Sequence, residues 1–497
     1  MAKPPVPYRH KYTKDQDKCH DLSDRTAEAP GVLETAPAVG VAEARRCQDP
    51  EPQQKPVTRP AGEPAARPAE NRAPAEAQAA GATAPAGRRR LAWLDALRGI
   101  AALCVVYEHF GARVLLSADV AVHRVFDPGL YGVLVFFLIS GYIVPATLEQ
   151  RRDLRSFWIS RLFRLFPLFA LAIGINLVFG VFGLADLAVT HQNAAAVALG
   201  HLLMLSELLT TPNLIVVIWT LSYEMVFYLL LTALYTVRLH RRSGTLAVIF
   251  VTGALVLGGT LPNGWISQAL GQMQVALAAD VLVIAGLAVA VAFGGLPRAL
   301  GAWLAAATGL TLVVFNGSRS AYEGLTILAL MFTGTLLYRA QHGQINRTRG
   351  TILAVGVFAA AIIAGVWHPP FFATYPETIK PGEWIMSVAL AGLTFAAGLA
   401  IQHMRVPRLL TWLGLVSYSV YLLFPLLLEV YDKIPFPQSY HDEPWEQAGI
   451  AAVYVLVLLA CAATTYHLVE LPMQRLGKRL AARTGRRRVP QPALATT

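Results

Sequence analysis

From Leu91 onward the chain alternates long apolar blocks with short polar ones. The apolar blocks fall near 91–110, 130–148, 157–183, 214–237, 244–261, 275–293, 299–315, 322–338, 351–367, 384–402, 409–430 and 448–469. At about 17 residues or more each, they have the length needed to cross hydrocarbon. Helical periodicity inside them is uninformative, because a helix facing lipid is apolar all round. The pattern predicts an all-α, polytopic transmembrane bundle of about 10–12 helices, some between 244 and 340 being candidates for half-helices or re-entrant segments.

The polar blocks set the orientation. Alternate ones carry Arg88 to Arg90; Arg151, Arg152 and Arg155; Arg238, Arg241 and Arg242; Arg298; Arg339, Arg347 and Arg349; Arg405 and Arg408; and the tail from Lys478 to Arg488. Those between them hold only Arg113, Arg124, Arg319, Lys380 and Lys433, and no Lys or Arg occurs between Arg164 and Arg238. Cytoplasmic loops are the ones enriched in Lys and Arg, so the expectation is a multi-pass cell-membrane protein with both termini cytoplasmic.

Composition agrees. Apolar residues make up 55% of the 497 and charged ones only 15%, against roughly 25% charged in a soluble domain. The mean hydropathy is +0.47. The net charge of +11 is accounted for by arginines at span ends, so no nucleic-acid partner is expected. Cys19, Cys47, Cys104 and Cys461 are scattered without paired spacing, which argues against a disulfide framework and a zinc site. No metal is expected.

Residues 1–87 are rich in Pro, Ala, Glu, Gln and Arg and poor in aromatic and β-branched residues. Such a segment cannot bury enough surface to fold, and without an apolar stretch it is neither signal peptide nor anchor. The expected organisation is a disordered cytoplasmic extension over 1–87, a transmembrane domain over 88–480 and a basic tail over 481–497, with no appended domain after Leu480.

Ionisable residues inside spans are costly and mark functional candidates. The first span, LDALRGIAALCVVYEHF, carries Asp95, Arg98, Glu108 and His109. Arg98 and His109 share a helix face roughly 16 Å apart along the axis, whereas Glu108 points about 100° away from His109. In WISRLFRLFP, Arg161 and Arg164 stand at i and i+3, and guanidinium forks suit phosphate recognition. Glu224, in WTLSYEMVFYLL, lies near the middle of its span and needs a partner such as Arg or His. Asp280 reads as an interfacial residue. Hydrolase elbows, phosphate-binding lysine loops, HExxH and dinucleotide fingerprints are all missing.

The segments LDALRGIAALCVVYEHF, LVFFLISGYIV, FWISRLFRLFPL, WTLSYEMVFYLL, SYSVYLLFPLLL and YHLVELPMQRL, in that order from about Leu91 to Leu480, resemble the acyltransferase-3 family of bacterial membrane proteins. The resemblance implies transfer of an acyl group, acetyl in the simplest case, from acyl-CoA to a hydroxyl on a surface polysaccharide, glycolipid or macrolide. It implies that His109 is the essential histidine, that Arg98 is the arginine of the LRG element, and that Arg161 and Arg164 handle the acyl donor. Glu224 matches the acidic position of the fourth segment, and Glu470 and Pro472 match a closing Glu-x-Pro. One departure is Phe424, before Pro425, where the family commonly has a histidine.

Acyl transfer requires a donor site, a base and oxyanion stabilisation. The expectation is that Arg98, Arg161 and Arg164 hold the CoA phosphates, that His109 takes the acceptor proton, and that Glu224 orients His109. The rival class is a transporter or flippase; its mark, an internal inverted repeat, is not found in the sequence.

Overall fold

The computed structural model describes residues 92–185, 193–368, 380–434 and 443–486. The expected N-terminal extension and the end of the basic tail lie outside the described residues. Among those residues every regular element is helical. In chain order they are Ala92–Val114 (α1), the short Leu116–His123 (α2), Pro128–Arg151 (α3), Leu154–Val181 (α4) and the short Ala194–Leu202 (α5). A 3-10 turn, Val216–Ile218, leads into Trp219–Thr236 (α6). Then come Ser243–Leu257 (α7), Trp265–Leu270 (α8), Gln272–Ala292 (α9), Gly295–Phe315 (α10), Ala321–Gln341 (α11) and Arg347–Trp367 (α12). Pro381–Ala400 (α13), Arg408–Asp432 (α14), Pro444–Thr465 (α15) and Leu471–Arg486 (α16) close the chain.

Each expected span is a helix, and ten helices among the described residues are long and apolar enough to cross a membrane. Two others fall outside that group for different physical reasons. Helix α1 has the length but carries Asp95, Arg98, Glu108 and Arg113. Helix α7 has only 15 residues, about 22 Å, against a hydrocarbon core of about 30 Å. The last span overshoots instead, because α15 runs through a π-helical turn, Tyr466–Glu470, into α16. Asp280 is not interfacial: α9 buries it, with neither carboxyl oxygen hydrogen-bonded.

The inner helices are α3, α6, α11 and α14, while α15 keeps most of its apolar surface exposed. Small residues bring the inner helices together. A Cβ at Gly141 of α3 would meet the Met331 carbonyl of α11, and one at Gly334 would meet the Leu138 carbonyl. Pro145 cannot donate to the carbonyl four residues back; that carbonyl, of Gly141, accepts instead from Thr335 Oγ1 at 2.8 Å. Close backbone approach through small residues and side-chain hydroxyls is the usual way helices associate where lipid is as apolar as they are. Helix α1 meets α14 in the same way, Gly99 against Leu413 and Gly414 against the Asp95 carbonyl.

At the end away from the arginine-rich loops, Arg319 stacks 3.8 Å over the Trp219 ring. It also pairs with Glu207 (3.4 Å) and Glu323 (3.3 Å). That cluster ties the segment before α6 to the start of α11.

The crossing at Gly141 is directly testable. Gly141→Val should lower the thermal midpoint of the purified protein, at an overpacking cost of about 1–3 kcal/mol. Gly174→Ala, where an added Cβ meets nothing within 4 Å, should leave it unchanged or raise it through the better helix propensity of Ala; a fall in both would refute the close approach.

Candidate active site

Helices α1, α3, α4, α6 and α14 enclose a cavity of ≈ 90 Å³. Arg98 enters it from α1, Ser140 from α3, Arg164 from α4, Thr220 and Glu224 from α6, and Ser417, Tyr418 and Tyr421 from α14. Val133, Phe136, Phe137, Leu165 and Leu221 supply its apolar wall. The α1–α14 contact at Gly99 and Gly414 sets Arg98 against the α14 hydroxyls.

The charged groups of the cavity have identifiable partners. Arg98 Nη1 donates to Asp95 Oδ1 at 3.4 Å, and its charge is within reach of Arg164 and Glu224. Glu224 Oε1 accepts from Ser140 Oγ at 3.4 Å and, more tightly, from Tyr228 Oη. Glu470, delivered into the bundle by the π turn, accepts from Ser419 Oγ (3.1 Å) and Gln474 Nε2 (2.9 Å). It lies within electrostatic reach of Arg164 and Arg98. Single π turns inside helices recur at functional sites, and here the turn brings a carboxylate into a bundle core.

The two arginines of α4 separate. Arg164 lines the cavity. Arg161 is buried beside it, donating from Nη2 to Thr147 Oγ1 at 2.8 Å, with its guanidinium 5.5 Å from the Phe157 ring and 5.4 Å from the Tyr228 ring. Arg161 thus backs Tyr228, which in turn holds Glu224.

His109 stands outside the cavity lining. Its ring packs edge-on against Phe424, centroids 5.2 Å apart, about one helical turn along α14 from Tyr421. Its Nδ1 faces the Val105 carbonyl at 3.1 Å. A carbonyl only accepts, so Nδ1 carries the proton and Nε2 keeps the lone pair. The expected contact between Glu224 and His109 is not formed. Among the described residues Glu224 bonds to Ser140 and Tyr228, and His109 to its own helix. The three-turn stagger along α1 explains this, since the level of Arg98, rather than that of His109, meets Glu224.

Sequence reasoning missed Tyr228 and Ser140. Tyr228 lies four residues after Glu224, a spacing that puts two side chains on one helix face. Ser140 was inside a quoted segment, LVFFLISGYIV, but carried no charge to mark it.

A second polar cluster surrounds the other end of α1. Glu108 accepts from His123 Nε2 (3.2 Å) and from the Gly129 amide (3.1 Å). Gly129 permits this approach, since a Cβ there would come within 2.6 Å of Glu108 Cγ. Asp127 caps α3, accepting from the Leu130 amide at 2.7 Å, and its backbone exchanges hydrogen bonds with Ser387 Oγ (3.0 Å each). The hydrogen bond that His123 donates to Glu108 pushes its imidazole up to about 9. Burial, then the Glu108 charge, pushes the Asp127 carboxyl up to about 8.

Comparison with known proteins now decides the family. The family model described as an acyltransferase domain matches residues 91–467. The chain belongs to the acyltransferase-3 family. O-acetyltransferase OatA of Staphylococcus aureus is 28% identical over 186 residues, 34% of this chain and 29% of OatA. A putative peptidoglycan O-acetyltransferase, YrhL of Bacillus subtilis, is 24% identical over 426 residues, 80% of this chain and 56% of YrhL. A putative acetyltransferase of Acidianus two-tailed virus is 27% identical over 163 residues, 33% of this chain and 46% of that protein. The chain thus spans less than two thirds of the length of each of these relatives. No solved structure matches. This member of the acyltransferase-3 family has O-acetyltransferases among its relatives, and its cavity is the natural place to look for chemistry.

The His123 cluster gives a pH prediction. A raised imidazole value stabilises the fold below its ordinary value of 6.5 and loses that contribution as pH rises through about 9. The raised Asp127 value acts in the same direction, so the thermal midpoint should fall across this interval. His123→Gln should flatten the fall, and an unchanged slope would place its origin elsewhere.

Proposed function

We propose that this membrane O-acyltransferase takes an acyl group, acetyl in the simplest case, from acyl-CoA. It delivers that group to a hydroxyl of a carbohydrate-containing acceptor, a surface polysaccharide, glycolipid or macrolide. The observation that carries the reading is the convergence of Arg98, Arg164 and Glu224 on one cavity, one turn short of the level at which His109 meets α14. The name of one relative, a putative peptidoglycan O-acetyltransferase, supports a carbohydrate-containing acceptor, and the arginine alternation supports a cytoplasmic donor side with both termini there.

Arg98 and Arg164 are the cations that meet the CoA end of the donor, guanidinium being the group suited to phosphate oxygens. Glu224 is their counter-charge. Arg161 is a positioning residue that acts through Tyr228 on Glu224. His109 is the base. The proton on Nδ1 is spent on Val105, so Nε2 takes the acceptor hydroxyl's proton. The acceptor oxygen forms a bond to the thioester carbonyl carbon, the C–S bond breaks, and the thiolate leaves with the proton from the imidazolium.

Two substitutions test these roles through CoA-thiol release and product formation by the purified, full-length protein. His109→Ala should cut turnover by at least about 100-fold with insertion and thermal midpoint retained; persistent turnover would remove His109 from the chemistry. Arg164→Ala should raise KM for acetyl-CoA several-fold with a smaller effect on kcat, and unchanged donor kinetics would leave Arg164 as a topology marker only.

A further inference from the structure

At the arginine-bearing ends of α3, α6, α10 and α11 lies a second, larger cavity, ≈ 1130 Å³. That exceeds the usual range for small-molecule sites, about 300–1,000 Å³. Its wall includes Arg152, Arg238, Arg241 and Arg298. Among the described residues none of the four is ion-paired. The carboxylate in the wall, Glu149, is already taken: Arg339 pairs with it closely, and His240 Nε2 lies 3.4 Å away. Arg339 also donates to Gln344 Oε1 (2.8 Å) and to the His240 carbonyl (3.3 Å). Glu149 is therefore neutralised by Arg339 and His240, and among the described residues the four guanidinium groups around it have no carboxylate partner. Arg298 gives Nε to the Phe293 carbonyl at 3.0 Å, leaving its terminal nitrogens unspent.

Two of these arginines stand where the backbone argues against them. Arg152 has φ +53° and Arg238 φ +61°, the left-handed region in which glycine is favoured. The positive-inside rule accounts for arginines on this side in general. It does not account for four meeting at one cavity, or for two holding left-handed positions.

This basin is separate from the candidate active site. Ser140 of the active-site cavity and Glu149 of the basin are nine residues apart on α3, a rotation of about 180° and a rise of about 14 Å. They face opposite sides of the helix.

We propose that the basin binds the phosphate headgroup of an anionic phospholipid, with Arg152, Arg238, Arg241 and Arg298 as its cationic wall. A lipid is favoured over a soluble phosphate by position. The wall is built from the end of α3, the start of α10 and the 3-10 turn Leu239–Arg241 that follows α6, where helices long enough to span reach the headgroup level. Beside it α10 presents Leu296, Leu300 and Leu304 exposed, a surface on which acyl chains can lie. Basic pockets between helices at this level are suited to anionic headgroups.

The test uses full-length, delipidated protein in mild detergent, with lipid retention read by native mass spectrometry. Phosphatidylglycerol, phosphatidylcholine and inorganic pyrophosphate are titrated separately. The decisive variant is Arg152→Gly with Arg238→Gly, which relaxes both left-handed positions while removing two guanidinium groups, so lost binding is not lost folding. Phosphatidylglycerol should bind the wild type in preference to phosphatidylcholine, and the variant's affinity for it should fall roughly 10- to 30-fold. Undiminished retention in the variant would overturn the site. Pyrophosphate binding that is lost in the variant while phosphatidylglycerol retention persists would overturn the lipid assignment in favour of a soluble phosphate.

Discussion

A charge inside hydrocarbon must be met by another polar group, and the bundle is organised around the places where this happens. Removing an ion from water costs several kcal/mol even after relaxation, so an isolated Arg98, Arg164 or Glu224 would work against membrane insertion. Together they share one cavity with Ser140 and the α14 hydroxyls. The structure that makes insertion tolerable is the same one that concentrates reactive groups at a point.

Close helix contact makes that sharing geometrically attainable. Gly99 and Gly414 let α1 and α14 touch at backbone level, and Gly141 and Gly334 do so for α3 and α11. Without those contacts the helices would stand apart by a side chain, and Thr335 of α11 would not reach the Gly141 carbonyl of α3. The π turn at Tyr466–Glu470 serves a related purpose: it brings Glu470 to Ser419 in the bundle interior. Packing and polar satisfaction are therefore one constraint here.

Helix α3 separates two polar environments of different character. One face borders a small cavity in which Arg98 and Arg164 are balanced by Glu224 and by the Asp95 carboxylate that Arg98 holds. The opposite face borders a wide basin in which the carboxylate is neutralised and arginines are in excess. The balanced cavity suits a reaction in which charge develops and is dispersed; the unbalanced one suits retention of an anion. At the far end of α1, Glu108, His123 and Asp127 form a third cluster that fastens α2 and the start of α3.

The sequence by itself determined the helical class and the position of each span, because hydrophobic block length reports directly on the bilayer, and the resemblance of six segments in order pointed to the family. It also singled out the unusual intramembrane residues, since a charge in an apolar block is visible without coordinates. Which of them meet was decided only by tertiary structure. Arg161 and Arg164 are three residues apart, yet one backs Tyr228 and the other lines the cavity. Glu224 and His109, natural partners by chemistry, are kept apart by the stagger of α1 against α6. Arg152 and Arg238 look like ordinary loop arginines until the ends of four helices bring them to a common basin. Contacts of this kind depend on helix rotation and crossing, which small residues set through packing and which no single apolar block encodes.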